Sequence, residues 1–149
     1  GIPIDHMIVE NAKMLQAVAA FAGDDECDYC FIEEFESFGM AVSKSVFVTC
    51  EWIGQFTLQW MISSKGDRPY RLTRKQIKLA LCQTLRAKDS NIRQSLMDLF
   101  GDSREQVIGT KHHQGPLYGI RKDEWSALAI AIVGMDKIRI QSECERSLT

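Results

Sequence analysis

At 149 residues, with 45% hydrophobic and 26% charged residues and a formal net charge of −2, the chain has ordinary globular composition, with room for one core or two very small ones. Neither an internal repeat nor a low-complexity segment is present. The longest apolar run, Ala127 to Met135, is about half of what a membrane-spanning helix needs, so no membrane role is expected.

Gly1 to Met7 (GIPIDHM) reads as a cloning-site remnant, no secretory signal is visible, and the native protein is expected to be longer. Val9 to Phe21 is predicted to be helical, with Met14, Val18 and Phe21 on one face and Gly23 as the stop. An acidic turn, Asp24-Asp25-Glu26, follows. Asp28 to Phe38 is predicted as a second helix because Phe31, Phe35 and Phe38 recur at helical spacing. Ser43 to Ser64 fits two patterns, and the expectation is an extended piece at Val46-Phe47-Val48 followed by a helix. Lys65 to Leu72 (KGDRPYRL) is a polar turn and the candidate sub-domain boundary.

Thr73 is expected to cap a helix reaching about Ala87, with Ile77, Leu81 and Leu85 inward. Asp89 or Ser90 would cap the next helix, Asn91 to Phe100, stopped by Gly101. Glu105 to Thr110 and Leu117 to Arg121 are predicted as two strands of a hairpin around the polar loop Lys111 to Pro116. Trp125 to Val133 is the last predicted helix, and Met135 to Ile140 fits a strand or a helix extension. The expected fold class is therefore α+β, mostly α. A winged helix-turn-helix-like half, residues 65–149, packs with an acidic N-terminal helical layer, residues 8–64, in one compact domain.

The net charge conceals an asymmetry. Gly1 to Ser64 holds two Lys or Arg against ten acids, a charge of −8. Lys65 to Lys122 holds thirteen against five, a charge of +8, and Asp123 to Thr149 carries −2. Such a swing suggests a basic face for an anionic partner, or acidic and basic segments that pack on each other or on a second copy. Arg74, Lys75, Lys78, Arg86, Lys88 and Arg93 are candidates to track a phosphate backbone. Lys111-His112-His113-Gln114, with Arg121 on the returning strand, would project a cation and hydrogen-bonding groups at phosphates or base edges. An ordinary solvated turn would have a similar composition.

Five cysteines, odd in number and irregular in spacing, point to free thiols in a reducing intracellular compartment. Cys27-Asp28-Tyr29-Cys30 is a lone CxxC. Adjacent His112 and His113 do not supply the second pair that zinc needs, so no metal and no cofactor is expected. The acidic residues from Asp24 to Glu36 read as a solvated face or a dock for a basic partner. No phosphate-binding glycine loop, nucleophile elbow or HExxH motif is present, and no enzymatic activity is expected.

Three short motifs carry a family resemblance. They are Ile92-Arg93-Gln94 with Leu99-Phe100, then Ile108-Gly109-Thr110-Lys111, then Tyr118-Gly119-Ile120-Arg121. Over Asn91 to Arg121, about a fifth of the chain, the sequence resembles the DNA-binding winged helix of the regulatory factor X family. The resemblance implies a wing in the major groove, and with it transcription regulation and a nuclear location in a eukaryote. Gln106-Val107 stand where that family carries paired arginines. The expected function is a nucleic-acid-binding module, DNA rather than RNA. Two alternatives stay open. One is a protein-interaction or self-association module using the acidic N-terminal face. The other is an accessory winged-helix domain of a larger viral or mobile-element helicase or primase.

Overall fold

A computed structural model describes residues 6–24, 27–36, 39, 41–64 and 66–147. The fold is α+β and mostly helical. The chain divides into two compact units, Val9–Arg74 and, together with Gly1–Ile8, Lys75–Thr149. The change of charge at Ser64 falls inside the first unit; Lys65 itself, like Asp25, Glu26 and Phe38 of the acidic region, lies outside the described residues.

The first unit is a βαβ element with an extra helix. Helix α1 (Asn11–Ala22) forms where alanines and an apolar stripe were expected to make it, and it closes with the Gly23 N–H donating to the Ala20 carbonyl at 3.3 Å and the Asp24 N–H to the Phe21 carbonyl at 3.1 Å. Strand β1 (Phe31–Glu34) pairs in parallel with β2 (Tyr70–Thr73), Phe31 opposite Tyr70 and Glu34 opposite Thr73. Parallel neighbours need a crossover, and α2 (Lys44–Ser63) supplies it. The predicted helix from Asp28 is thus a strand. Its backbone groups on the facing edge pair with β2, beginning with the Tyr70 N–H donating to the Cys30 carbonyl at 2.8 Å. Phe31 meets Tyr70 across the strands with ring centroids 5.6 Å apart, and the Tyr29 ring lies tilted against Phe31 and edge-on to Tyr70. The extended piece expected at Val46-Phe47-Val48 is instead the first turn of α2. Helix propagation along the apolar seam against α1 outweighs the local preference of two valines. Trp60 is the residue of α2 that becomes fully buried.

The second unit holds most of the fully buried side chains. Helix α3 (Arg74–Cys82) ends five residues before the expected Ala87, where Gln83 takes φ 56°, a left-handed conformation that stops the helix without a glycine. Helix α4 (Asp89–Phe100) starts slightly earlier than predicted, and the Lys88 N–H donates to Asn91 Oδ1 at 2.8 Å. Next comes a single helical turn, α5 (Arg104–Val107), at the position of the first predicted hairpin strand. Ser103 causes it, its hydroxyl accepting from the Gln106 N–H at 3.3 Å. The expected hairpin shrinks to one antiparallel bridge, Gly109 to Gln114, and Leu117 to Arg121 forms turns instead of a strand. Helix α6 (Glu124–Ser147) runs straight through Met135 to Ile140, which is therefore a helix extension. Ile77, Ile92, Leu96, Val107, Leu117, Trp125, Ala129 and Val133 make the core. None of the described helices is long and apolar enough to cross a membrane.

Candidate nucleic-acid interface

The basic segment is divided by the fold. Arg71 and Arg74 belong to the first unit, where each faces a carboxylate of β1. Arg71 Nη1 donates to Glu34 Oε1 at 3.3 Å and Nη2 to Thr57 Oγ1 at 3.1 Å. Arg74 Nη1 lies 3.9 Å from Glu33 Oε1. Arg71 ties β2 to β1 and α2, Arg74 at the start of α3 faces β1, and together they neutralise two acids of the N-terminal segment. Arg74 is thereby set apart from the other predicted contacts.

Nine Lys and Arg stand against four acids between residues 75 and 122, a charge of +5 on the second unit's part of the segment. Lys75 and Lys78 are half-buried on α3, flanking fully buried Ile77. Arg86 does not lie on a helix face: it is exposed in the turn after α3, its N–H donating to Thr84 Oγ1 at 3.3 Å. Arg93 projects from α4. Lys78, Arg86, Lys88, Lys111, Arg121 and Lys122 have no ion pair among the described residues.

Lys111, His112 and His113 are exposed at the tip of a short loop. Although the two strands are missing, this tip is held firmly. The Thr110 N–H donates to the His113 carbonyl at 2.8 Å, and the His113 N–H to Thr110 Oγ1 at 3.3 Å. Below the tip, the N–H of Gly115 donates to Ile108 O at 3.0 Å and that of Leu117 to Val107 O at 2.9 Å. Two glycines make this possible. Gly109 has φ 72°, with the His113 carbonyl where a side chain would start. At Gly115 the Gln106 and Val107 carbonyls occupy the same place.

The base of the loop leads to a cluster at the start of α6 that the sequence reading missed. Glu124 is the one buried charged residue among those described. Its Oε2 accepts from the Arg121 N–H at 2.8 Å and its Oε1 lies 3.1 Å from His6 Nδ1. Burial works to raise the pKa of this carboxyl, but hydrogen bonds from His6 and the Arg121 backbone outweigh it and hold the group below its ordinary value. Beside it, Trp125 is buried, and the Arg93 guanidinium sits over its ring, Cζ 4.6 Å from the centroid. The signal for Glu124 was the Arg121-x-x-Glu124 spacing ahead of an apolar run, a carboxylate placed to cap its own helix. His6, within the segment read as a remnant, contributes to this packing.

The thiols of the CxxC pair are poor nucleophiles and poor metal ligands as they stand. Burial, then the neighbouring Cys27, pushes Cys30 up to about 11. Cys27 is raised by burial and then by Asp24 and Asp28. Among the described residues no three His, Cys, Asp or Glu side chains converge as a metal-binding group. Comparisons with protein-family models, curated proteins and solved structures find no match for this chain.

Proposed function

We propose that the chain is a non-enzymatic nucleic-acid-binding module that engages double-stranded DNA through the second unit. The observation that carries this reading is that Lys78, Arg86, Lys88, Lys111 and Lys122 stand without ion pairs among the described residues, in contrast to Arg71 and Arg74, whose charges are taken up by Glu34 and Glu33. Lys75, Lys78 and Arg86 would follow phosphates, and the Lys111-His112-His113 tip with Arg121 would serve as the wing. A tip braced by backbone hydrogen bonds loses little conformational entropy on binding, which favours its use as a contact. The regulatory factor X resemblance supports DNA over RNA, and the free thiols fit a reducing intracellular compartment, nuclear in a eukaryote. The test is fluorescence anisotropy of a labelled random-sequence duplex across a salt series. Binding that weakens steeply with salt, and that falls in both Lys75→Glu/Lys78→Glu and Lys111→Glu, is expected. A folded protein that leaves the duplex free at low salt refutes the reading.

A protein-interaction role is the second reading, and one feature favours it. Phe47, Leu58 and Ile62 are 64, 59 and 68% exposed along one side of α2, a helix whose charged residues are Lys44 and Glu51. Sedimentation of the parent and of Leu58→Glu/Ile62→Glu separates the two. Self-association lost in the variant, without any duplex binding by the parent, would favour this role.

A further inference from the structure

Arg93 is held differently from Lys78, Arg86, Lys88 and Lys111 of the second unit. It follows buried Ile92 on α4, three residues before fully buried Leu96, so its backbone is anchored in the core. Its guanidinium carbon lies 4.6 Å from the centroid of the Trp125 ring, and that ring is only 8% exposed. The guanidinium is therefore held against a buried indole. Among the described residues Arg93 makes no hydrogen bond or ion pair, and the residue as a whole is exposed. Its N–H donors are unspent among the described residues.

That combination has a specific chemical meaning. A free arginine loses side-chain entropy each time it grips an anion. An arginine already packed on an indole has lost part of that freedom in the unbound protein, so less is lost on binding. The planar fork matches two oxygens of one phosphate, a match a lysine ammonium cannot make. A purely structural role would be served by many other contacts. The α4–α6 packing already has Ile92, Leu96, Ala129, Ile130 and Val133 buried in the same unit, so the exposed guanidinium adds little burial of its own.

We propose that Arg93, pre-oriented on Trp125, is the phosphodiester-gripping fork of the second unit. It takes one backbone phosphate through two parallel hydrogen bonds, while Lys78, Arg86 and Lys111 act as diffuse charges. The inference rests on the nucleic-acid reading above and assigns one residue a role that charge counting cannot. Arg93→Lys keeps the charge and removes both the fork and most of the stacking. It therefore separates this role from simple electrostatics.

The experiment is duplex binding by anisotropy at several salt concentrations, with parent, Arg93→Lys, Arg93→Gln and Trp125→Phe, each checked for folding by far-ultraviolet circular dichroism and thermal melting. In Arg93→Lys, affinity falls about tenfold while the slope of log affinity against log salt stays that of the parent, because the number of charges is unchanged. In Arg93→Gln, affinity falls at least as far and the slope also drops by about 0.9. Trp125→Phe weakens binding severalfold with every cation in place. Should Trp125→Phe melt, Arg93→Lys, which leaves the indole in the core, decides alone. If a folded Arg93→Lys binds as the parent does, or loses affinity only in step with its folded fraction, the fork is refuted while the nucleic-acid reading stands. If the parent itself fails to bind, both fall together.

Discussion

Gly115 allows the sharpest test of the second unit, because three glycines in this chain make the same substitution mean three different things. A Cβ at Gly115 would fall inside contact distance of the Gln106 and Val107 carbonyls, which belong to backbone and cannot rotate away. To admit it, the loop must open and surrender two hydrogen bonds, Gly115 N–H to Ile108 O at 3.0 Å and Leu117 N–H to Val107 O at 2.9 Å. At about 1 kcal/mol net for each, plus the cost of carbonyls left without donors next to buried Val107 and Leu117, Gly115→Ala should destabilise the unit by about 3 to 4 kcal/mol. In a unit of this size that corresponds to a fall in Tm of more than about 12 °C. Gly119, unlike Gly115, has a positive φ, 86°, and the nearest atom to its Cβ is in the His6 ring at 3.6 Å, an ordinary contact. Gly119→Ala should cost only its backbone strain, about 1 kcal/mol. Gly54, inside α2 with nothing within 4 Å of its Cβ, should become more stable by about 1 kcal/mol on conversion to alanine. Urea unfolding, followed by circular dichroism and by tryptophan emission, ranks the three. A Gly115→Ala midpoint within 1 kcal/mol of the parent, or one above that of Gly119→Ala, would refute the account of the loop.

The core and the titrating groups make further predictions. Leu96 is 0% exposed and Leu99, one turn on in the same helix, is 61% exposed, so Leu96→Ala should cost about 2 to 5 kcal/mol and Leu99→Ala under about 1, both read from urea midpoints. The carboxyl of Glu124 has a folded pKa below its ordinary value of 4.5. Its contribution to stability is thus complete above that pH and disappears as pH falls through the depressed folded value. Glu124→Gln should flatten the acid limb of a Tm-against-pH curve, and an unchanged limb would show that the pairing with His6 and Arg121 contributes nothing. Cys30, raised to about 11 and half-buried, should alkylate more slowly at pH 8 than exposed Cys50 and Cys144, as followed by mass spectrometry. Equal rates would contradict its placement.

What the sequence made legible follows the range of the interactions concerned. Helices α1 and α4 are written in local signals, an alanine-rich apolar stripe ending at Gly23 and the Ile92, Leu96 spacing behind a polar start. Strand β1 was not, because its partner β2 lies more than thirty residues away and pairs with it only once α2 has crossed over. Phe31 and Phe35 at helical spacing imitate a helix stripe, yet in the fold Phe31 faces Tyr70 across the sheet. For α5 a local signal was present and was outweighed. Ser103-x-x-Gln106 is a capping-box spacing, and Gln106 Oε1 also accepts from the Asp102 N–H at 3.1 Å, but Val107-Ile108 invited a strand. Glu124 belongs to the same class as α5, a cap written three residues from the group it satisfies.

The charge pattern shows why a run along the chain is weak evidence for a face. The +8 segment reads as one surface only if its residues share one body, and the fold divides it between Arg74 and Lys75. On the near side Arg71 and Arg74 serve Glu34 and Glu33, so two positive charges offset acids of the segment that appeared to oppose them. On the far side the cations differ again among themselves. Lys78 and Arg86 are anchored by backbone alone, Lys111 by a glycine-braced tip, and Arg93 by an indole. Long-range steering of an anion depends on the sum of these charges, and salt screens it. Discrimination between one anion and another depends on which donors are held in place, and salt screens that far less. If the second unit binds DNA as proposed, the affinity lost in Arg93→Lys should therefore be nearly the same at every salt concentration, whereas the salt-sensitive component should follow the count of lysines and arginines, Arg93 included.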